Sequence, residues 1–269
     1  MQKISDNVYV ESELSMCNTS IVVTKEGVVV IDTPMVPENA KKVAVEVERY
    51  GPVRYVINTE PHTDHIAGNC YFGGTVVAQD GVRGRMLEAK VEDVAGMLKW
   101  TSPDSPPPDK DYRLRPPEIT FSDELTLYLG EHTFRLMHMP GHTPFSLAVH
   151  VPEERIVFTS DNINLGMPVF RDSDPDRWLE SLKKYQELDV DKVVPGHGAV
   201  CDKSCFPQMS ALIQSWLDVV ADAINKGMDL EQVLEEVPKT EMFAQMPREG
   251  PGMGFLRMNI ERIYEVLKK

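Results

Sequence analysis

Short apolar runs, rich in valine and isoleucine, alternate with polar punctuation through the first third of the chain: NVYV (7–10), TSIVVT (19–24) and GVVVIDT (27–33). Their length and β-branched content predict strands, and Lys25-Glu26-Gly27 predicts a hairpin turn between the last two. From Pro37 to Tyr50 the apolar positions Val43, Ala44 and Val47 fall at helical spacing, with proline at the start and Gly51 as the stop. VRYVINT (53–59) and TVVA (75–78) predict two further buried strands, and Val82 to Leu98 predicts one helix.

The second half has the same texture. EITF (118–121), LTLYL (125–129), TFRLMHM (133–139), SLAVHV (146–151) and RIVFTSD (155–161) predict strands, followed by a helix near Asp176–Leu188 and a strand leading into KVVPGHG (192–198). The segment at about 204–269 reads mainly helical, with Ile213, Trp216, Leu217, Val220 and Ile224 on one stripe and a last segment at Phe255–Leu267. No sequence repeat is visible, yet both halves run strands, helix, strand, polar loop. Two strand-rich halves with helices outside predict an α/β class fold, a four-layer αββα sandwich, over a single domain spanning residues 1–269. Between Trp100 and Pro117 the pattern stops: TSPDSPPPDKDYRLRPP holds six prolines in seventeen residues. Each proline removes a donor and restricts its predecessor, which excludes a regular element there. This insert at about 100–117 is expected to be a functional loop or lid.

Composition changes this picture only in its partners. With 42% hydrophobic and 26% charged residues, the chain is an ordinary globular protein with a sizeable core. Its formal charge of −14, from 28 basic and 42 acidic side chains, disfavours nucleic acid and anionic membrane surfaces and leaves a small-molecule substrate. No run approaches the roughly 18 apolar residues of a membrane span. The N-terminal stretch MQKISDNVYVESELSM lacks the pattern of a signal peptide. Cys17, Cys70, Cys201 and Cys205 show no C-x-x-C spacing and read as free thiols, which points to a reducing, cytoplasmic setting. Oligomeric state is left open. Met242, Met246 and Met253 read as core or interface filling, or as an apolar pocket wall.

The chemistry gathers at strand ends. Of seven histidines (62, 65, 132, 138, 142, 150 and 197), four lie in short loops directly after an apolar strand: His62 and His65 after VRYVINT, His142 after TFRLMHM, His197 after KVV. Asp161 ends RIVFTS in the same way, and Glu60 and Asp64 share the first loop. Loops at strand ends present side chains to a common cleft, and the glycines and prolines of PGH (140–142) and PGHG (195–198) allow tight turns that aim an imidazole. Two metal ions a few ångströms apart need about six or seven nitrogen and oxygen ligands. Glu60, His62, Asp64, His65, His142, Asp161 and His197 supply seven candidates. Any one of these histidines alone would more plainly be a surface or core imidazole; the ordered set carries the signal.

HTDHIAGN, PGHT, SDN and PGHG, in this order and spacing, resemble the metallo-β-lactamase superfamily, over nearly the whole chain and including VVVIDT near its start. The resemblance implies the αββα fold with a dinuclear site between two sheets. It assigns positions 60, 62 and 142 to one metal, Asp64, His65 and His197 to the other, and Asp161 as the bridge. Two divalent ions are implied, zinc first, with a hydroxide held between them as nucleophile and Asp64 as a catalytic group orienting it or moving its proton. Two departures stand out. Ser160 occupies a position where relatives commonly carry glycine. More consequentially, E-x-H-x-D-H replaces H-x-H-x-D-H: Glu60 is either a ligand, whose hard oxygen favours iron or manganese more than histidine would, or an acid, base or substrate contact beside a weakened first position.

Other candidates have plainer readings: His138 as a packed histidine near the ligands, His132 as a turn residue, His150 as a strand residue, Asn162 as a turn residue or a substrate contact. Arg171 could anchor an anionic substrate or be a solvated loop arginine; Arg113 and Arg115 invite the same question. The expected function is metal-dependent hydrolysis of a small ester, thioester, lactone or amide. The alternatives are an iron-dependent oxidoreductase of the same superfamily, motivated by Glu60, and a non-enzymatic binding protein with a modified site.

Overall fold

The computed structural model describes residues 1–14, 16–243 and 251–268. Met246 and the rest of 244–250, part of the segment expected to be helical, lie outside the described residues. The strand pattern resolves into two sheets. The first orders β1 (Gln2–Lys3), β2 (Val8–Glu11), β3 (Thr19–Thr24), β4 (Gly27–Ile31), β5 (Val53–Ile57), β6 (Thr75–Gln79) and β7 (Ile119–Phe121) in sequence. The early strands pair antiparallel, and β4 to β7 run parallel. The second orders β12 (Lys192–Val194), β11 (Ile156–Phe158), β10 (Leu147–Val151), β9 (His132–His138) and β8 (Glu124–Leu129), with only β11 and β12 parallel.

Period-two alternation decides which faces meet. Val29 and Ile31 of β4 join Val22, Ile57 and Val77 in one core with Phe134, Leu136, Leu147, Val149 and Phe158 of the second sheet, so the two sheets pack face to face. The intervening Val28 and Val30 point the other way, to α1 (Pro37–Val47), whose Ala40, Val43 and Val47 cover them. Each fully buried valine or isoleucine side chain stabilises by roughly 1.5–3 kcal/mol, which makes slippage by one residue prohibitive.

Two expectations change. EITF was expected among the strands of the second half, but β7 pairs parallel with β6 in the first sheet, Val77 opposite Ile119. The helix expected from Val82 to Leu98 is two helices, α3 (Asp80–Glu88) and α4 (Val91–Thr101). Ala89 and Lys90 are extended, and Asp93 Oδ2 accepts from Lys90 N at 2.8 Å to start α4. The break lets Val82 and Met86 bury with Ile66 and Ala78, while Val94 and Leu98 bury with Met35, Val36 and Ala67. One straight helix could not reach both clusters.

Both sheets and α1, α3 and α4, with the short α2 (Thr63–Ile66) among them, belong to one compact unit formed by Met1–Met139, Phe145–Ile163 and Leu188–Lys203. A second unit takes Pro140–Pro144, Asn164–Glu187 and Ser204–Lys269 and carries α5 (Pro175–Glu187), α6 (Cys205–Asn225), α7 (Leu230–Glu236) and α8 (Pro251–Leu267). Aromatic rings hold it together: Phe170 meets Trp178 and Trp216 at 5.6 Å, Trp216 meets Phe243 at 4.6 Å, and Tyr185 stacks on Phe206 at 5.3 Å. Ile213, Trp216, Leu217 and Val220 of the expected stripe are buried, and Ile224 is half-buried. The four cysteines form no disulfide, and no helix among the described residues is long and apolar enough to cross a membrane.

Candidate metal centre

Parallel strands put the chemistry on one edge, because loops leaving their C-terminal ends open into a shared crevice. Asp32 follows β4, the loop from Asn58 follows β5, Asp161 follows β11 and His197 follows β12. The β5 loop is tightly braced. Asn58 Nδ2 donates to the His65 carbonyl at 3.1 Å, the side-chain amides of Asn58 and Asn69 bond each other at 2.7 and 3.0 Å, and Thr33 Oγ1 donates to Asn69 Oδ1 at 3.0 Å. The glycine of HIAGN is a packing requirement, since a Cβ on Gly68 would sit 2.5 Å from the Pro34 carbonyl oxygen. Asn69 Nδ2 also donates to the Arg115 carbonyl, and Tyr112 Oη to the Ala67 carbonyl, so the proline-rich insert is tied to this loop.

Within the first unit, six of the seven expected ligands converge. His62 Nδ1 lies 2.9 Å from Glu60 Oε2, and His65 Nε2 lies 3.1 Å from Glu60 Oε1, 3.4 Å from Asp161 Oδ1 and 3.7 Å from Asp64 Oδ2. His197 Nε2 stands 3.2 Å from both Asp64 Oδ2 and Asp161 Oδ2. Ligands about 2.0–2.2 Å from a metal are separated by roughly 3.0–3.6 Å from one another, which is the range most of these donors occupy. His142 belongs to the second unit, on the PGH turn, where its ring meets Trp178 edge-on at 5.9 Å.

Three of the four imidazoles are held through Nδ1. His65 Nδ1 donates to Asp32 Oδ2 at 2.9 Å, His142 Nδ1 to the Val169 carbonyl at 2.8 Å, and His197 Nδ1 to the Met16 carbonyl at 3.0 Å. A carbonyl only accepts, so the proton of a neutral His142 or His197 sits on Nδ1 and the Nε2 lone pair is bare. Metal-binding histidines are oriented in this way. His65 Nε2 is fully buried and makes no hydrogen bond, yet it faces three carboxylates. A bare nitrogen lone pair opposite carboxylate oxygens is repulsive unless a cation, proton or metal, stands between them. The residues fit a metal.

Electrostatics agree. Burial alone would lower the His65 pKa, but Asp32, Glu60 and Asp64 overcome it and lift it well above the ordinary imidazole value. For His197 the same contest, against Asp161 and Asp64, ends at about 11. Burial would raise Asp64 and Asp161, but the neighbouring imidazoles hold both well below the usual carboxylate range. This is a cation-seeking pocket.

Sequence reading missed the bracing residues. Asp32, at the end of VVVIDT, accepts from Thr59 N at 2.8 Å and Thr59 Oγ1 at 2.6 Å as well as from His65. Its φ of +55° is a turn signal that an aspartate after an apolar run could have given. Asn18 braces PGHG, donating through Nδ2 to the carbonyls of Pro195 (2.9 Å) and Gly198 (2.8 Å). Ser160 has φ +54°, the backbone state for which glycine is preferred. A Cβ on Gly196 would overlap Asp161 Oδ1 outright and lie 2.9 Å from Asp161 N. Asn162 Nδ2 donates to the Met139 carbonyl at 2.6 Å. His132 pairs with Glu154 at 2.7 Å, His150 is buried in β10, and Arg171 is exposed and paired with Asp172 at 2.9 Å. Arg115 holds Glu118 and the carbonyls of Phe72 and Gly74.

An α/β sandwich with imidazoles and carboxylates converging at its parallel strand ends defines a class of metal-site proteins. Residues 13–197 match the metallo-beta-lactamase superfamily, and the chain belongs to it. It is similar to the linear primary-alkylsulfatase of Pseudomonas sp., 22% identical over 286 aligned positions that cover 89% of this chain and 53% of that one. It is also similar to the acyl-coenzyme A thioesterase MBLAC2 of Bos taurus, 26% identical over 152 positions, covering 52% of this chain and 54% of that one. The chain thus spans about half the length of these curated relatives. Among solved structures, the stereoselective inverting sec-alkylsulfatase Pisa1 from Pseudomonas sp. superposes with a TM-score of 0.73 at 15% identity, over 98% of this chain and 49% of that one.

Proposed function

We propose that the protein is a metal-dependent hydrolase of a small ester-type substrate, with two divalent ions at its centre. The observation that carries this is the buried Nε2 of His65, held by Asp32 and facing Glu60, Asp64 and Asp161. Glu60, His62 and His142 would hold one ion, Asp64, His65 and His197 the other, with Asp161 shared. When bound, the ions would supply Lewis acidity and lower the pKa of water toward neutrality. Asp64, 3.7 Å from His65 Nε2 and 3.2 Å from His197 Nε2, would orient that water or help move its proton. Asp32, Met16 and Val169 keep the three imidazoles in their ligating tautomer. Relatives named thioesterase and alkylsulfatase support thioesters and alkyl sulfates as substrates; carboxylic esters, lactones and amides belong to the same hydrolytic reading. Arg171 is a candidate for the anionic part of such a substrate.

A second reading, iron-dependent redox chemistry, is favoured by the carboxylate at position 60, since oxygen ligands suit iron and manganese. The deciding experiment purifies the protein without added metal, measures its metal content, and assays acyl-coenzyme A thioesters, p-nitrophenyl esters, lactones, amides and alkyl sulfates. Chelator-sensitive turnover that falls at least about 100-fold in Asp64→Asn supports the hydrolase. Intact metal with no turnover on any class, or iron with oxygen consumption, overturns it.

A further inference from the structure

The replacement of an imidazole by a carboxylate at position 60 changes how many ions that residue can serve. An imidazole whose other nitrogen is occupied offers one lone pair to one ion. A carboxylate offers two oxygens, and those of Glu60 face different partners: Oε2 lies 2.9 Å from His62 Nδ1, while Oε1 lies 3.1 Å from His65 Nε2. His62 and His65 belong to different metal positions in the reading above. Glu60, His65 and Asp161 moreover present donor atoms within 4.8 Å of one another, a set distinct from Asp64, His65 and His197. The fully buried His65 Nε2, without a hydrogen bond, is common to both sets.

We propose that Glu60 bridges the two metal positions, one oxygen to each, so that the second position gains a ligand that a histidine at 60 could not provide. The inference rests on the dinuclear reading above and deepens it. Its consequences are physical. A carboxylate buried to zero exposure is costly unless positive charge surrounds it, and two ions answer that cost better than one. Occupancy of either position then favours the other, because each ion pre-orients the shared carboxylate. An oxygen ligand on both ions also tilts the pair toward manganese or iron relative to zinc, compared with a histidine-bearing site.

The test measures binding of Mn²⁺ and Zn²⁺ to metal-free protein by chelator competition, with no substrate present. His142→Ala removes a ligand of the first position only and should leave one tight equivalent at the second. Adding Glu60→Gln in that background should weaken this remaining equivalent at least about tenfold if Glu60 bridges, the usual scale for losing a charged contact at a metal. Glu60→His in the otherwise intact protein should hold two equivalents but shift the Mn²⁺ to Zn²⁺ preference at least about tenfold toward zinc. Glutamine is nearly isosteric, and circular dichroism of the metal-free variants checks the fold. If Glu60→Gln leaves the single equivalent within about twofold, Glu60 serves only the first position and the bridge is overturned, while two-metal hydrolysis stands. If the wild type binds no divalent ion at all, the dinuclear reading and the bridge fall together.

Discussion

Asp32→Asn separates the geometry of the centre from its charge. Asp32 accepts three hydrogen bonds through two oxygens: Thr59 N on Oδ1, and Thr59 Oγ1 with His65 Nδ1 on Oδ2. Asparagine has one acceptor and one donor group in the same outline. If its oxygen takes the Oδ2 place, its NH₂ meets the Thr59 N–H donor to donor. If its NH₂ takes that place, it donates to His65 Nδ1 and drives the ring proton to Nε2, where it blocks ligation. Because the φ of +55° suits asparagine as well as aspartate, no backbone cost is added. Burial already raises the Asp32 pKa, against the His65 and Thr59 interactions that lower it, so a neutral side chain is cheaper to bury. The fold should therefore lose no more than about 1 kcal/mol, while metal affinity should fall about 10–100-fold, the usual cost of an outer carboxylate partner. Chelator competition on the metal-free variant reads the affinity, and nitrogen chemical shifts of His65 read its tautomer. Affinity within about twofold of wild type, with the proton still on Nδ1, would refute the role given to Asp32.

Gly196→Ala should displace Asp161 and cost about 2–3 kcal/mol with loss of tight metal binding, whereas Gly198→Ala, with open space around its Cβ but φ +87°, should cost only about 1 kcal/mol by thermal unfolding. Metal binding at pH 8 should release about two protons, because His65 and His197 are both lifted well above the imidazole range in metal-free protein; calorimetric enthalpies that do not depend on buffer ionisation would contradict this. Burial raises the Glu154 carboxyl, but hydrogen bonds from His132, Ser5 and Asn7 outweigh it and lower its pKa, so its stabilisation is present above about pH 4.3 and lost as pH falls through the depressed value. Glu154→Gln should lose about 2 kcal/mol at pH 7 and show a flatter acid limb in denaturant unfolding. Saturating wild type with its metal at about 100 times Kd should add about 2.7 kcal/mol to stability, which chelator removes.

What the chain revealed in advance follows from range. Strands at 19–24 and 27–31 and the strand-end histidines are local signals, carried by β-branched runs and by glycine and proline beside each loop. The split of the helix at Ala89 was not local: two apolar stripes of similar period bury against different clusters, and only the tertiary partners tell them apart. EITF looked like its neighbours in sequence, yet its partner is β6, 42 positions back from Ile119 to Val77. Asn18 is an ordinary polar residue until β12 brings Pro195, 177 positions away, to its amide.

The same limit explains Glu60. Spacing placed it at the strand end with the ligands, which left ligand, acid and substrate contact all open. The decisive fact is directional: one oxygen toward His62 and the other toward His65. The braces around the loop, Thr33, Asn58 and Asn69, fix the backbone at His65, and Asp32 holds its ring. A position that exchanges imidazole for carboxylate inside such a frame does not simply lose a ligand. If Glu60 bridges as proposed, it converts a contact with one ion into a contact available to two, which Glu60→Gln in the His142→Ala background tests directly.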